Sequence, residues 1–341
     1  MKASFVYHPL TFKRPAGTSR GVLHVKHSWI LTLEENGVKG IGECSIIPDL
    51  SADYISHEAY ENELQILCEG INAGSIRTNN WGDLYRNQSS ILFGLECAYL
   101  DLKNGGKQIY FDNAFARGEK QIPINGLIWM GDEAFMAEQI EEKLKAGFST
   151  IKMKIGAIDW DTEHKLLQSI RSRFSAEQIT LRVDANGGFT PETAPSLLQQ
   201  LADLSIHSIE QPIKQKQWGE MAQLCQQTPC PIALDEELIG MNDYQQKMEL
   251  LDSIQPQYII LKPSLHGGIQ GCREWTSLAE TRNIPWWMTS ALESNIGLKA
   301  ICEFTAEYNN DLPQGLGTGS LYETNFPSQL TVQNGHIFWK I

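Results

Sequence analysis

Between residues 1 and 47 apolar and polar side chains alternate, as in Trp29-Ile30-Leu31-Thr32-Leu33 before Glu35-Asn36-Gly37 and Gly40-Ile41-Gly42-Glu43 after it. A period of two on both sides of a turn sequence predicts an antiparallel hairpin or meander. From Tyr54 to Leu102 the spacing becomes helical, interrupted near Gly70 and at Asn79-Asn80, with Leu92, Leu95, Glu96, Tyr99 and Leu102 on one face. Residues 1–104 therefore read as an α+β capping domain. Lys103-Asn104-Gly105-Gly106-Lys107 and the polar stretch through Lys120 mark its boundary.

Beyond that boundary short β-rich runs alternate with helical patterns. Strands are predicted near Ile122–Ile128, Thr150–Ile155, Thr180–Asp184, Ser208–Glu210, Pro231–Asp235, Tyr258–Lys262, Pro285–Thr289 and Gln314–Leu316. Helices fill the gaps, for example Asp132 to Ala146, stopped by Gly147, and Asp159 to Phe174. Eight such units over residues 120–319 close into a TIM-type (β/α) barrel more naturally than into an open sheet. Leu330 to Phe338 alternates once more. This predicts that residues 320–341 return to the cap as a strand, so that the cap is built from both ends of the chain.

Composition narrows the partners. The chain of 341 residues exceeds the comfortable size of one core, and its formal charge of −13 repels nucleic acid and anionic membrane surfaces. No run approaches the ~18 apolar residues of a membrane span, and Met1-Lys2-Ala3-Ser4 leads into an alternating strand rather than a signal-peptide core. The expectation is a cytoplasmic protein acting on a small molecule, with no nucleic-acid or membrane partner and with self-association left open. Its seven cysteines form an odd set without a C-x-x-C pair, which points to reduced core thiols rather than disulfides or a zinc site.

Charged residues then recur near the ends of the predicted strands: Lys152 and Lys154, Asp184, Glu210, Asp235 and Lys262, with steps of 30, 26, 25 and 27 residues from Lys154 onward. Such a step is one strand, one helix and two loops, and a parallel barrel gathers the C-terminal ends of its strands on one rim, where active sites form. Alternation in Ile151-Lys152-Met153-Lys154-Ile155 turns both lysines to the lumen. Two neighbouring ammonium groups disfavour each other's charge, so one of them can serve as a base. Surface lysines on an edge strand are the bland alternative, which the β-branched setting disfavours. Asp184, Glu210 and Asp235 supply one carboxylate from each of three successive strands. Singly each could be a cap or ion-pair partner; together they suit a hard cation with oxygen ligands, Mg²⁺ or in its place Mn²⁺.

Lys262 ends the apolar run Tyr258-Ile259-Ile260-Leu261, across the barrel from the lysine pair. A lysine on either side of a metal-bound substrate is a layout for moving a proton beside a carboxylate; a Schiff-base lysine is the competing chemistry, though it has no need of three carboxylates. Asn186 and Glu236 stand beside presumed ligands as groups that could orient them. Arg182, two residues before Asp184, is expected to point the same way, at a ligand or into an ion pair. Ser290 and Glu293 follow the seventh strand, and Gly317-Thr318-Gly319 the eighth; backbone N–H groups there could hold a carboxylate, or form a plain turn. A catalytically inactive barrel used as a binding protein is the non-enzyme alternative, but the set of charged residues has no gap.

The combination Lys152-Met-Lys154, Asp184-Ala-Asn186, Glu210-Gln-Pro212, Asp235-Glu236, Lys262-Pro263 and Ser290-Ala-Leu-Glu293-Ser294 resembles the enolase superfamily, specifically its muconate-lactonizing subgroup, over essentially the whole chain. The resemblance implies a Mg²⁺-dependent enzyme acting on a small carboxylate, with Asp184, Glu210 and Asp235 as metal ligands, Lys154 and Lys262 as acid and base, and Lys152 tuning Lys154. Within the subgroup Ile122-Pro-Ile-Asn-Gly-Leu-Ile-Trp-Met-Gly131 and Gly315-Leu-Gly-Thr-Gly-Ser-Leu-Tyr322 resemble a dehydratase, a carbon–oxygen lyase. Dipeptide epimerases typically carry Asp-x-Asp where this chain has Gly317-Thr318-Gly319, and N-succinylamino acid racemases remain the alternative.

Overall fold

The computed structural model describes residues 1–18, 21–156 and 158–341. Strands β1 (Lys2–Tyr7), β2 (Leu10–Thr18), β3 (Gly21–Glu35) and β4 (Val38–Ile46) form one antiparallel sheet in which the first part of β3 pairs β2 and the remainder lies between β1 and β4. The β3–β4 turn falls on Asn36 and Gly37, at φ 53° and 78°, where the sequence placed it. Trp29, Leu31 and Leu33 alternate into the cap core, covered by α1 (His57–Ala73), α2 (Trp81–Leu84) and α3 (Ser89–Lys103). Helix α3 presses so closely on β4 that a Cβ on Gly42 would stand 1.9 Å from Gly94 O, and one on Gly94 would meet Cys44 Sγ at 2.3 Å.

The second body alternates strand and helix: β5 (Ile122–Pro123), β6 (Gly126–Ile128), α4 (Glu133–Lys145), β7 (Thr150–Lys154), α5 (Trp160–Arg171), β8 (Thr180–Asp184), α6 (Ala194–Asp203), β9 (Ser208–Glu210), α7 (Trp218–Gln227), β10 (Ile232–Leu234), α8 (Tyr244–Ile254), β11 (Tyr258–Leu261), α9 (Gly268–Glu280), β12 (Trp286–Met288) and α10 (Asn295–Ala306). Strands β6 to β12 form a parallel sheet in chain order. Gln314 and Gly315 supply the eighth position by parallel bridges to Ile124 and Thr289, which closes the sheet into the expected barrel. Aspartates N-cap the barrel's first two helices: Asp132 accepts from Phe135 N–H at 2.9 Å and Asp159 from Thr162 N–H at 3.0 Å. Gly147, at φ 78°, ends the first.

Three expectations are corrected. The first barrel strand is split, because only Gly126–Ile128 pairs β7 while Ile122–Pro123 pairs a strand from the C-terminus. The eighth strand is followed by no barrel helix among the described residues. Leu330–Phe338 does not join the cap sheet: β13 (Leu330–Gln333) and β14 (His336–Trp339) form a hairpin whose second strand pairs β5, covering the barrel's N-terminal end. The alternation there reports a strand with one buried face, which two different sheets could satisfy. The contact of this region with the cap comes earlier, where Lys13 N–H donates to Leu321 O and Glu323 N–H to Thr11 O, both at 2.9 Å.

Two cap carboxylates seat the cap on the barrel by meeting helix N-termini. Glu96 of α3 accepts from the N–H groups of Ile269 (2.5 Å) and Gln270 (3.1 Å) at the start of α9. Glu43 of β4, fully buried, accepts from the N–H groups of Ser294 and Gly297 at the start of α10, both at 2.9 Å, and from the Ser28 and Ser294 hydroxyls. Buried helix-end N–H groups need an acceptor, and a negative charge there is favoured by the helix dipole. We expect Glu43→Ala to lower the free energy of unfolding by about 3 kcal/mol, since several buried donors lose their acceptor at once. Urea denaturation measures it, and a loss under about 1 kcal/mol would show that water replaces the carboxylate at little cost.

Candidate active site

The strand ends bring the expected residues together. Parallel register sets Lys152 beside Arg182, Lys154 beside Asp184, and Asp184 beside Glu210. Lys154 Nζ donates to Asp184 Oδ2 at 2.9 Å and to Asn186 Oδ1 at 2.8 Å. Lys152 Nζ lies 2.9 Å from Asp184 Oδ2 and also pairs with Glu210. From the far side Lys262 pairs with Asp235 and stands 3.9 Å from Glu210 Oε1. Strands β7 and β11 are separated by three positions in either direction around the barrel, so the lysine pair and Lys262 face each other across the lumen.

Burial and charge oppose one another here. Burial pushes the Asp184 carboxyl up, but the ammonium groups of Lys152 and Lys154 outweigh it and hold it well below the usual range. Asp235 is likewise pushed up by burial yet held down, chiefly by Lys262. Glu210 goes the other way, raised by burial and by Asp184 beyond what Lys152 offsets. Burial lowers Lys152, but Asp184, Glu210 and Asp235 together raise it above the ordinary lysine value. That direction is opposite to the one expected from the lysine pair alone, because three carboxylates outweigh one neighbouring ammonium.

Among the described residues no three His, Cys, Asp or Glu side chains stand grouped as metal ligands, because lysine nitrogens sit against Asp184, Glu210 and Asp235. The donor chemistry nevertheless fits a hard cation. Among the described residues Glu210 Oε1 and Asp235 Oδ1 are buried with no hydrogen-bond donor, and such oxygens are the ligand type a hard cation takes. Asn186 Nδ2 donates to Glu236 Oε1 at 2.9 Å while its own N–H donates to Asp184 Oδ1 at 3.0 Å, and Asn186 and Glu236 thus sit beside the carboxylates as orienting groups.

Other candidates separate. Ser290 and Thr318 line the cavity and touch, Thr318 Oγ1 donating to Ser290 Oγ at 2.9 Å; Gly317 lines it beside them. Glu293 lies behind this wall, where it accepts from Ser290 and Ser264. Leu292 between them is held at φ 66° by its N–H donating to Ser290 Oγ and by its C=O accepting from Tyr322. Arg182 points into the barrel as alternation requires; its guanidinium stacks 4.0 Å over the Trp287 ring and donates to Pro313 O, and it forms no ion pair among the described residues.

Several lining residues carry no signal in the sequence. The cavity, about 340 Å³, is walled on the cap side by Gly21–Leu23 at the start of β3 and Ile47–Leu50 after β4. Asn125 and Thr289 line it from the barrel. His266 is a detectable omission, four residues after Lys262: its Nδ1 accepts the Lys262 N–H at 2.9 Å, and burial holds the ring down to about 3, hence neutral. Gln211 is another, its Oε1 accepting from the N–H groups of Asp235 (3.3 Å) and Glu237 (3.2 Å) and so fixing the loop that carries Asp235.

A barrel rim with opposed lysines, three buried carboxylates between them and a cap over the opening defines a capped parallel-barrel enzyme. Residues 135–339 match the family described as enolase C-terminal domain-like. The chain is 48% identical to an o-succinylbenzoate synthase from Desulfotalea psychrophila over 98% of each sequence, and 30% identical to an L-Ala-D/L-Glu epimerase from Bacillus subtilis over 51% of this chain and 47% of that one. It therefore belongs to the enolase C-terminal domain-like family. Among solved structures, MenC from Desulfotalea psychrophila superposes with a TM-score of 0.87 at 44% identity over 99% of both chains. A dipeptide epimerase from Enterococcus faecalis gives 0.86 at 21% identity over 99% of this chain and 96% of that one, a likeness of fold alone.

Proposed function

We propose that this chain is an o-succinylbenzoate synthase, a hydro-lyase converting 2-succinyl-6-hydroxy-2,4-cyclohexadiene-1-carboxylate to 2-succinylbenzoate in menaquinone biosynthesis. The observation that carries the proposal is the 48% identity to a synthase of that name across 98% of both sequences. The site supports it with a proton carrier placed beside a carboxylate-binding centre.

Asp184, Glu210 and Asp235 are the residues to hold a divalent cation, with Mg²⁺ the choice for oxygen donors. Bound there, it would act as a Lewis acid on the substrate carboxylate. Lys154 takes the proton from the carbon beside that carboxylate, and Lys262, on the opposite face, offsets the charge that develops. The proton now on Lys154 goes to the departing hydroxyl on the same face, the carbon–oxygen bond breaks, and water leaves. Asn186 steadies Lys154 through its 2.8 Å contact. Aromatisation makes the step downhill, so accurate stereochemical control at two faces is not required.

Both lysines are in place for racemisation as well, in which they would act on opposite faces of one carbon. The absence of Asp-x-Asp at Gly317-Thr318-Gly319 removes an anchor for a peptide ammonium and favours dehydration. We expect kcat/KM for forming 2-succinylbenzoate, followed by its aromatic ultraviolet absorbance, to exceed that for racemising N-succinylamino acids or dipeptides. Faster α-proton exchange of those compounds in D₂O would reverse the assignment while leaving the lysines their roles.

A further inference from the structure

A buried charge cluster lies behind the Ser290–Thr318 wall, outside the machinery described above. Lys26, on β3 and 1% exposed, donates to Ile46 O at 3.0 Å, immediately before the cavity-lining segment Ile47–Leu50. Its ammonium lies within electrostatic reach of three buried carboxylates, Glu293, Glu43 and Asp53, with no direct ion pair to any of them among the described residues. They differ in what they accept. Glu43 takes two backbone N–H groups and Asp53 takes the N–H of Ser90, donors that cannot reverse. Among the described residues Glu293 accepts from two hydroxyls alone, Ser264 Oγ at 2.5 Å and Ser290 Oγ at 2.6 Å, and a hydroxyl can donate or accept.

That difference gives Glu293 two states with every hydrogen bond kept. With Glu293 ionised, Ser290 donates to it and Thr318 donates to Ser290, so both hydroxyl protons point away from the cavity. With Glu293 protonated, its O–H donates to Ser290, Ser290 turns its proton to Thr318, and the Thr318 hydroxyl offers its proton to the cavity. An anionic group on the substrate needs a donor there; with Glu293 ionised, Thr318 has to give up its bond to Ser290 to provide one.

We infer that Lys26 is a positioning residue that acts through Glu293 on the direction of the Ser290–Thr318 hydroxyl chain, and that Thr318 donates to an anionic group of the substrate without losing its bond to Ser290 only when Glu293 carries a proton. Burial raises the Glu293 carboxyl above its ordinary value, Lys26 opposes the rise together with Ser264 and Ser290, and Glu43 adds to it. Tyr322, whose hydroxyl donates to Leu292 O, is the other titratable group facing the pair. The inference rests on the proposed function for the identity of the anion, a carboxylate of 2-succinylbenzoate or its precursor.

The test uses the Mg²⁺-loaded full chain, with calorimetric binding of 2-succinylbenzoate and KM measured side by side from the ordinary carboxylate range upward. In the unmodified protein affinity should fall as pH rises through the transition, by up to about tenfold per unit for one linked proton, with kcat changed far less. Glu293→Gln, which always has an N–H to give, should bind with little pH dependence. Lys26→Met removes the charge that opposes protonation, so its transition should move to higher pH and binding should persist where the unmodified protein has lost it; Lys26→Arg should restore the original profile. A simply structural Lys26 would weaken binding equally at every pH, and that result, or an unchanged slope in Glu293→Gln, overturns the inference alone. Absence of binding and turnover in the unmodified protein at every pH overturns the proposed function and this inference together.

Discussion

Lys154→Ala and Lys262→Ala should each lose about a thousandfold or more in kcat, the range for removing a positioned proton carrier, while circular dichroism and denaturation midpoints stay close to those of the parent. The expectation comes from placement. Lys154 is held at 2.9 Å from Asp184 and 2.8 Å from Asn186, and Lys262 reaches Asp235 from the opposite wall, so neither can stand in for the other on one face of a substrate. Lys152→Ala should be milder, because Lys152 is fixed between Asp184 and Glu210 and shares Asp184 with Lys154 without itself carrying the substrate's proton. Full activity in Lys262→Ala would remove it from the reaction. Covalent capture of substrate on Lys262 by borohydride would replace proton transfer with Schiff-base chemistry.

What the sequence made legible was whatever depends on period and position within a strand. Lys154, Asp184 and Glu210 end their strands, Asp235 and Lys262 directly follow theirs, and Lys152 stands two residues before Lys154 on the same face, so alternation and the βα repeat together dictate which way each side chain points and on which rim it lands. Arg182 shows the limit of that reasoning. Alternation turned it inward correctly, yet at the depth it shares with Lys152 its guanidinium turns to the Trp287 ring and Pro313 O, while the Lys152 ammonium turns to Asp184 and Glu210; alternation does not decide between the two. Loops defeat periodicity altogether. Ile47–Leu50 and Gly21–Leu23 reach the cavity only because the cap is seated on the barrel by Glu43 and Glu96, two glutamates whose role depends on helices some 170 to 250 residues later, by separations of 173 and 251. The C-terminal hairpin failed for a related reason: alternation reports a half-buried strand and carries no address for the sheet that will accept it.

Removing divalent metal should abolish turnover, and adding Mg²⁺ or Mn²⁺ should restore it. Among the described residues Glu210 Oε1 and Asp235 Oδ1 are buried acceptors without a hydrogen-bond donor, and Glu210 and Asp235 make their closest lysine contacts through their other oxygens. Repulsion among three carboxylates in a buried site is relieved only partly by lysines that must also handle a proton, which leaves a cation as the fitting counter-charge. Replacing one carboxylate by its amide keeps the shape and removes the charge, so Asp184→Asn, Glu210→Gln and Asp235→Asn should each weaken Mg²⁺ binding by more than the roughly 10- to 100-fold typical of groups behind the ligands. Isothermal titration with Mg²⁺ measures this without turnover. The same titration on Arg182→Met should leave the affinity close to that of the parent, because Arg182 sits a layer below the carboxylates. Undiminished activity after exhaustive chelation would take Asp184, Glu210 and Asp235 out of metal binding and leave them as counter-ions to the three lysines.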